Sequence, residues 1–480
     1  MPDGLALEFA SQSRCSVVAA AGCGKTELIA DAVAANPQSR QLVLTHTHAG
    51  VRALRNRLRR KSVTPGAFIV DTIAGFALRY SSSFPSLSGC SIREPQTEED
   101  YRLVYLGASS VLGNRHVRKV LAESYDGAYV DEYQDCTSNQ HHLVFALADL
   151  LPTRIVGDPL QSVFDFRGAE ALGWQTDVQV AFPQLCELTT PHRWRNSNPA
   201  LGQWLVEARD QLLSGGELDF REPCVRWIQL EGDSRNHVRQ QNNACQSRAT
   251  ESGESIAVIR KWKNQAHRTA KGLRGRFRSM EEMECRDLMD FCRAVETTTG
   301  VDRVLVVLDL VAECVTSQPD WFSRLRSAVA RGRLPTRSRI DTSIQNAVQS
   351  VAADLSVGLV SSLLQAVKAQ PDIKLYRREL YEEAIRTTRN YDEFSGETLQ
   401  VCAWKTRDRT RVVGRPVDRR VVSRTLLIKG LEFDHAIIVD VDDFNDDSKN
   451  LYVALTRGAK SLTVLSRQPV IRRSVPDVET

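Results

Sequence analysis

Paired cysteines are missing from this chain. Its eleven cysteines stand singly, with no CxxC anywhere, which argues against a zinc ribbon and against a secreted disulfide scaffold and leaves thiols in a reducing compartment as the expectation. No run of about 18 apolar residues occurs, so no membrane helix is read from the sequence. The start, MPDGLALEFASQSR, has no basic region followed by an apolar core, and a cytoplasmic location is expected. Tandem repeats and low-complexity tracts are missing as well, which excludes solenoid arrays. Strong net charge is the last absence. Lys and Arg exceed Asp and Glu by only +4 over 480 residues, so a nucleic-acid partner has to be met by local basic patches.

What is present is a series of short apolar runs between helix-like stretches. CSVVAA, QLVLTH, AFIVDT, GAYVDE and TRIVGD fall in the first half; ESIAVIRKW, VVSRTLLI, HAIIVDVD and SLTVLSR follow later. That alternation is how a parallel sheet covered by helices reads. It predicts an α/β chain with two parallel-sheet lobes. The first covers 1–190, with a small insertion at about 81–118; the second is built from 191–264 and 400–480. Residues 265–399, which hold segments such as MEEMECRDLMDFCRAVE and few strand candidates, are expected to form a mostly helical accessory insertion.

The stretch SVVAAAGCGKTELIA, residues 16–30, has the order strand, tight turn, helix, in which backbone amides at a helix N-terminus face phosphate oxygens. Gly22 and Gly24 permit close backbone approach, with Cys23 between them. Lys25 would neutralise the terminal phosphates of a nucleotide and the Thr26 hydroxyl would ligate magnesium. GAYVDEYQD then sets Asp131 and Glu132 directly after an apolar strand. One carboxylate there can hold the metal and its neighbour can orient an attacking water. A tight turn with a solvated lysine, or a lone acid capping a strand, explains either element alone. The two together favour nucleotide hydrolysis with Mg2+.

VDEYQD and VGDPLQSVFDFRGA, followed by LTTPHRWRN, KGLEFD and LYVALTRGAK, resemble the ordered motifs of UvrD/Rep/PcrA-like superfamily 1 DNA helicases. The resemblance implies two RecA-like lobes with ATP between them, single-stranded DNA across their top and 3′ to 5′ movement. In that family the loop begins with alanine, so Ala19 is the expected residue; Ala20, in place of a glycine, and Cys23, in place of a small hydroxyl residue, are departures that remove no phosphate ligand. The resemblance gives Thr26 and Asp131 to magnesium, Glu132 to the nucleophilic water, Gln161 to sensing the γ-phosphate, and Arg193 and Arg457 to the transition-state charge. It gives Glu432 to the ribose, with Gly430 allowing close approach. His192 stands where a base-stacking tyrosine is usual and Leu426 where many members have histidine. Gln12 is the candidate adenine reader, at an unconvincing spacing.

On the DNA side, LTHTHAG aligns with a family contact segment through Thr45, His46, Thr47 and His48, and VDTIAGFALR with the next one through Thr72, Gly75 and Phe76. Phe164 and Phe166 could stack on bases, with Arg167 beside them. The basic run 52–61 reads as a solvated helix face, whereas 260–278, without an acidic residue and with Trp262 and Phe277, suits phosphate contact plus stacking. The expected function is an ATP-dependent translocase or helicase acting on single-stranded and partly duplex DNA. The short reach between the fourth and fifth motifs and the short stretch after the sixth are expected to leave a reduced accessory domain and no fused nuclease. That economy resembles the helicase-like GajB component of Gabija antiphage defence and supports a second expectation: a nucleotide- or DNA-sensing subunit working with a separately encoded nuclease.

Overall fold

The computed structural model describes residues 3–95, 97–163, 172–247, 253–282, 285–334, 340–413 and 418–471. Its strands, in chain order, are β1 (Arg14–Ala19), β2 (Gln41–Thr45), β3 (Phe68–Thr72), β4 (Gly127–Val130), β5 (Thr153–Gly157), β6 (Gln184–Leu188), β7 (Leu218–Asp219), β8 (Val225–Gln229), β9 (Ile256–Arg260), β10 (Arg278–Ser279), β11 (Arg420–Arg424), β12 (Phe433–Ile438), β13 (Gly458–Ser466) and β14 (Val470–Ile471). They build two six-stranded parallel sheets and one small antiparallel pair, β7 with β14. The predicted fold class, α/β with two RecA-like parallel-sheet lobes and helical insertions, is the one the chain adopts.

Two compact units share the chain. The first is Met1–Cys224 with Phe444–Lys460 and Val470–Thr480, and the second is Val225–Asp443 with Ser461–Pro469. The segments 191–224 and 444–460, which the motif order groups with the second lobe, pack with the first sheet.

In the first unit the sheet order is β3-β2-β4-β5-β1-β6. Every residue of β2, β4 and β5 is buried. A parallel sheet covered on both faces requires this, and it explains why these strands read as unbroken apolar runs. Successive side chains alternate between the faces. Val17, Val43, Val70, Tyr129 and Val156 meet the helices Lys25–Ala34 and His48–Arg60 on one side. Leu42, Leu44, Val130 and Ile155 meet the helices Ile73–Ser83, Glu98–Leu112 and Ser138–Ala148 on the other. Within 81–118 lie the helices Pro85–Ser88 and Glu98–Leu112 and the start of Arg115–Ser124, and Thr97 and Asp100 close a capping box at the start of Glu98–Leu112. Because all six strands run the same way, every loop after a strand lies on one edge of the sheet.

In the second unit the order is β10-β11-β9-β12-β13-β8, with β9 buried throughout. VVSRTLLI, expected as one strand, is β11 only to Arg424; Thr425–Ile428 turns into a short helix. β6 and β8 escaped the sequence reading because they are edge strands whose partial burial breaks the apolar pattern. Phe277, expected to stack on a base, is fully buried in the core beside β9, β11 and β12. The helices from Arg286 to Val413 enclose their own apolar core, from Leu288 through Val311 and Leu364 to Leu399.

At the root of that helical core Arg377, 2% exposed, donates to both oxygens of Glu281, itself 1% exposed, at 2.8 and 2.6 Å, and also meets Asp287 and Glu313. Removing one partner of a buried pair leaves an uncompensated charge. Arg377→Met is therefore expected to lower stability by about 3 kcal/mol, read as an earlier midpoint in urea unfolding.

Candidate nucleotide site and the strand-end loops

The site grows from the end of β1. After Ala19 the chain turns through Gly22 (φ 70°) and Gly24 (φ 97°), both in the left-handed region that disfavours side chains. The helix Lys25–Ala34 then starts with no side chain capping it. Its first amide donors therefore have no side-chain acceptor, the condition under which a helix N-terminus takes an anion. Lys25 is buried and its Nζ donates to Ala19 O at 3.0 Å. The Thr26 hydroxyl donates to Asp131 Oδ2 at 3.0 Å.

Asp131 follows β4 directly, and its amide donates to Leu44 O at 2.9 Å, which fixes it at the sheet edge. Burial, reinforced by the Glu132 charge, holds its carboxyl well above the usual carboxylate range, with Lys25 and Thr26 pulling the other way. Such a carboxyl suits a cation: the charge that burial penalises is compensated once a metal sits on it. The hydroxyl of Thr26 and the carboxylate of Asp131 are oxygen donors of the kind magnesium takes. Glu132 has φ 57°, a strained left-handed conformation for a residue with a side chain.

Beyond these residues lies a polar network that the motifs alone do not assign. Gln134 donates to Glu132 Oε2, and its own carbonyl oxygen accepts from the amide of Asp158 at 3.0 Å. Asp158, fully buried, accepts from Gln161 Nε2 at 2.7 Å and from Arg209 at 3.3 Å. Arg209 donates to Glu187 at 2.6 Å. Gln161 and Glu132 are thus joined through two intermediates. Gln134 and Asp158 sit inside quoted motifs. Arg209 has one sequence signal, a lone charge on the buried face Leu201, Leu205, Ala208, Leu212 of the helix Pro199–Ser214.

The segment 444–460 closes on the loop within the same unit. The Ala21 amide donates to the Tyr452 hydroxyl at 3.0 Å. The Arg193 amide donates to Gly22 O at 3.2 Å, and its Nη1 to Thr456 O at 2.8 Å. Trp194 Nε1 donates to Gly458 O at 2.8 Å. Arg457 is 2% exposed, with Nε donating to Val453 O at 2.8 Å and Nη2 to Thr456 Oγ1 at 2.9 Å. Arg193 and the segment carrying Arg457 therefore abut the loop that carries Lys25. His192 is half-buried, and burial with the Arg195 charge lowers its pKa. Trp194 also explains Gly22: a Cβ there would lie 2.6 Å from its ring. Gly22→Ala is expected to cost about 1–3 kcal/mol from overpacking and strain, seen as a lower thermal midpoint.

Along the same edge, Thr45 ends β2 and is buried, and Thr47 caps the helix His48–Arg60 by accepting from the Gly50 amide at 3.0 Å. His46 Nε2 lies 3.5 Å from Cys136 Sγ. Thr72 caps the helix Ile73–Ser83 through the Gly75 amide at 2.8 Å. Phe76 is a core residue, 1% exposed and packed on Tyr80 at 4.7 Å between ring centroids, so its ring is turned into the core and away from the surface where DNA contact is expected. Phe164, Phe166 and Arg167 lie outside the described residues. Gly430 and Glu432 are exposed and belong to the second unit, between β11 and β12. So does the basic stretch, where Arg260 pairs with Asp440 and Lys263 lies 3.4 Å from Asp287, while Trp262 is 54% exposed with Lys261 over its ring at 5.1 Å. All eleven cysteines are thiols rather than disulfides. Among the described residues no helix is long and apolar enough to cross a membrane, and no cluster of three His, Cys, Asp or Glu is arranged to hold a metal.

Residues 96–177, which carry Asp131, Glu132, Gln134, Asp158 and Gln161, match the family model described as UvrD/REP helicase N-terminal domain. The chain is also similar to Gabija protein GajB of Bacillus cereus (strain VD045), 42% identical over 55 residues, a stretch that covers 11% of this chain and 11% of that protein. The chain thus matches about a tenth of the length of that relative. The resemblance drawn from the motifs is borne out as a likeness: residues 96–177 are similar to the UvrD/REP helicase N-terminal domain, and a shorter stretch is similar to GajB.

Proposed function

We propose that this chain is an ATP-dependent translocase that moves 3′ to 5′ along single-stranded DNA and opens partly duplex DNA. The observation that carries the reading is the convergence of Lys25, Thr26, Asp131 and Glu132 at one sheet edge, with Thr26 and Asp131 3.0 Å apart. Magnesium, when bound, supplies charge neutralisation on the phosphates. Thr26 and Asp131 would hold it. The backbone from Gly22 to Thr26 cradles the triphosphate, and Lys25 adds a cation against the terminal phosphates. Glu132 accepts the proton of the attacking water. Gln134 fixes its orientation. Arg193 and Arg457 meet the developing negative charge. Through Gln134 and Asp158, Gln161 shares a hydrogen-bonded path with Glu132, which gives the base and the sensing residue a common support. Glu432 and Gly430 are assigned to the ribose, His192 to the base, and Thr45, His46, Thr47, His48 and Thr72 to the DNA strand. Phe164, Phe166 and Arg167 are assigned to stacking and phosphate contact, and the cytoplasm is the proposed location.

The test is ATP hydrolysis with and without single-stranded DNA and RNA. DNA is expected to raise turnover about tenfold or more, within the range of ordinary coupling between two sites. Equal stimulation by RNA would overturn the substrate assignment. The GajB match favours a second reading, a nucleotide- or DNA-sensing subunit of an antiphage complex with a separately encoded nuclease. Stable co-purification with an endonuclease supports it, and processive unwinding by the isolated chain speaks against it.

A further inference from the structure

The Tyr452–Ala21 contact has no place in the mechanism above. Ala21 lies on the loop between β1 and the Lys25–Ala34 helix, and its amide donates to the Tyr452 oxygen at 3.0 Å in a buried setting. Tyr452 is 1% exposed, so water cannot substitute for this acceptor without repacking. Its helix, Ser448–Leu455, also packs on the turn Pro159–Gln161 and on the helix Pro199–Ser214. The groups acting on the phenol are Asp158, Arg209 and Cys23. Burial pushes its pKa well above the usual phenol value, so the hydroxyl keeps its proton. The helix that carries Tyr452 therefore links the loop, the Gln161 turn and the segment that bears Arg457.

We propose that the Tyr452 hydroxyl is a positioning group for the phosphate loop, holding it in its nucleotide-binding shape through the Ala21 amide and tying that shape to the segment bearing Arg457. The inference rests on the nucleotide-site reading. The loop needs such a brace, because its two left-handed glycines supply permissive backbone and little rigidity. On the loop's other side, Gly22 is held by the Arg193 amide and faced by the Trp194 ring. Together the two contacts fix both flanks of the turn. A loop that is already ordered loses less freedom when a triphosphate arrives.

Tyr452→Phe keeps the ring and its packing and removes only the oxygen. The variant is expected to bind mant-ATP with magnesium about tenfold more weakly, the loss of one buried hydrogen bond, with a thermal midpoint a few degrees lower, a folded chain by circular dichroism, and KM for ATP raised more than kcat is lowered. Lys25→Ala, which is expected to bind about 100-fold more weakly, marks the signal as site-specific. Unchanged affinity in Tyr452→Phe, with wild type binding and Lys25→Ala weakened, overturns this inference alone. Absence of binding by wild type overturns the nucleotide site itself. Hydrogen exchange on the wild-type chain tests the contact without any variant: the Ala21 amide is expected to be protected before nucleotide is added, and free exchange there would overturn the contact.

Discussion

Glu132→Gln should turn over ATP about 100- to 10,000-fold more slowly, the contribution of a positioned general base, while still binding it. The side chain keeps its shape and an oxygen to accept from Gln134, so the support running to Asp158 survives. The change removes one of two adjacent negative charges, and Glu132 is one of the groups that raise the Asp131 carboxyl. Asp131 consequently becomes easier to ionise, and binding of a metal-nucleotide complex is expected to hold or to tighten. Single-turnover hydrolysis set beside a mant-ATP titration separates the two quantities. Turnover within threefold of wild type would remove Glu132 from the role of base.

Lys25→Ala is expected to weaken ATP binding about 100-fold, in line with hydrogen bonds to a charged donor, and to leave hydrolysis at least about 1,000-fold below wild type, as losing a charge clamp on a transferring phosphoryl group does. Lys25 is buried and its Nζ donates to Ala19 O, so few structural contacts go with it and the fold should persist. Unchanged circular dichroism alongside lost turnover is the expected pair of results. A variant that hydrolyses ATP at half the wild-type rate would show that the triphosphate is held elsewhere.

The strands that were legible in the sequence are those buried on both faces. β2, β4, β5 and β9 are wholly buried, and their residue types announce it. β6 and β8, partly exposed, carry a mixed pattern that periodicity does not separate from loop. The loop residues Lys25 and Thr26 and the pair Asp131 and Glu132 could be named because strand, turn and helix follow one another within a few residues. Arg209 and Tyr452 could not. Each acts across long sequence separation, Arg209 on Asp158 and Tyr452 on Ala21, and local spacing carries no record of such pairings. Phe277 and Phe76 show the opposite failure, since a phenylalanine in a segment expected to contact nucleic acid reads equally as a stacking platform and as an anchor into the core. Burial decides, and it chose the core for both.

The return of residues 444–460 to the first compact unit has a consequence for biogenesis. As the ribosome releases the chain, the first sheet can form early, since domains generally fold as units in order of synthesis. The indole of Trp194 and the amide of Ala21 nevertheless wait for acceptors that are translated more than two hundred codons later. A nascent chain arrested before Tyr452 would present an unfinished loop after β1, and the proposed nucleotide site would be complete only after the helix Ser448–Leu455 had emerged.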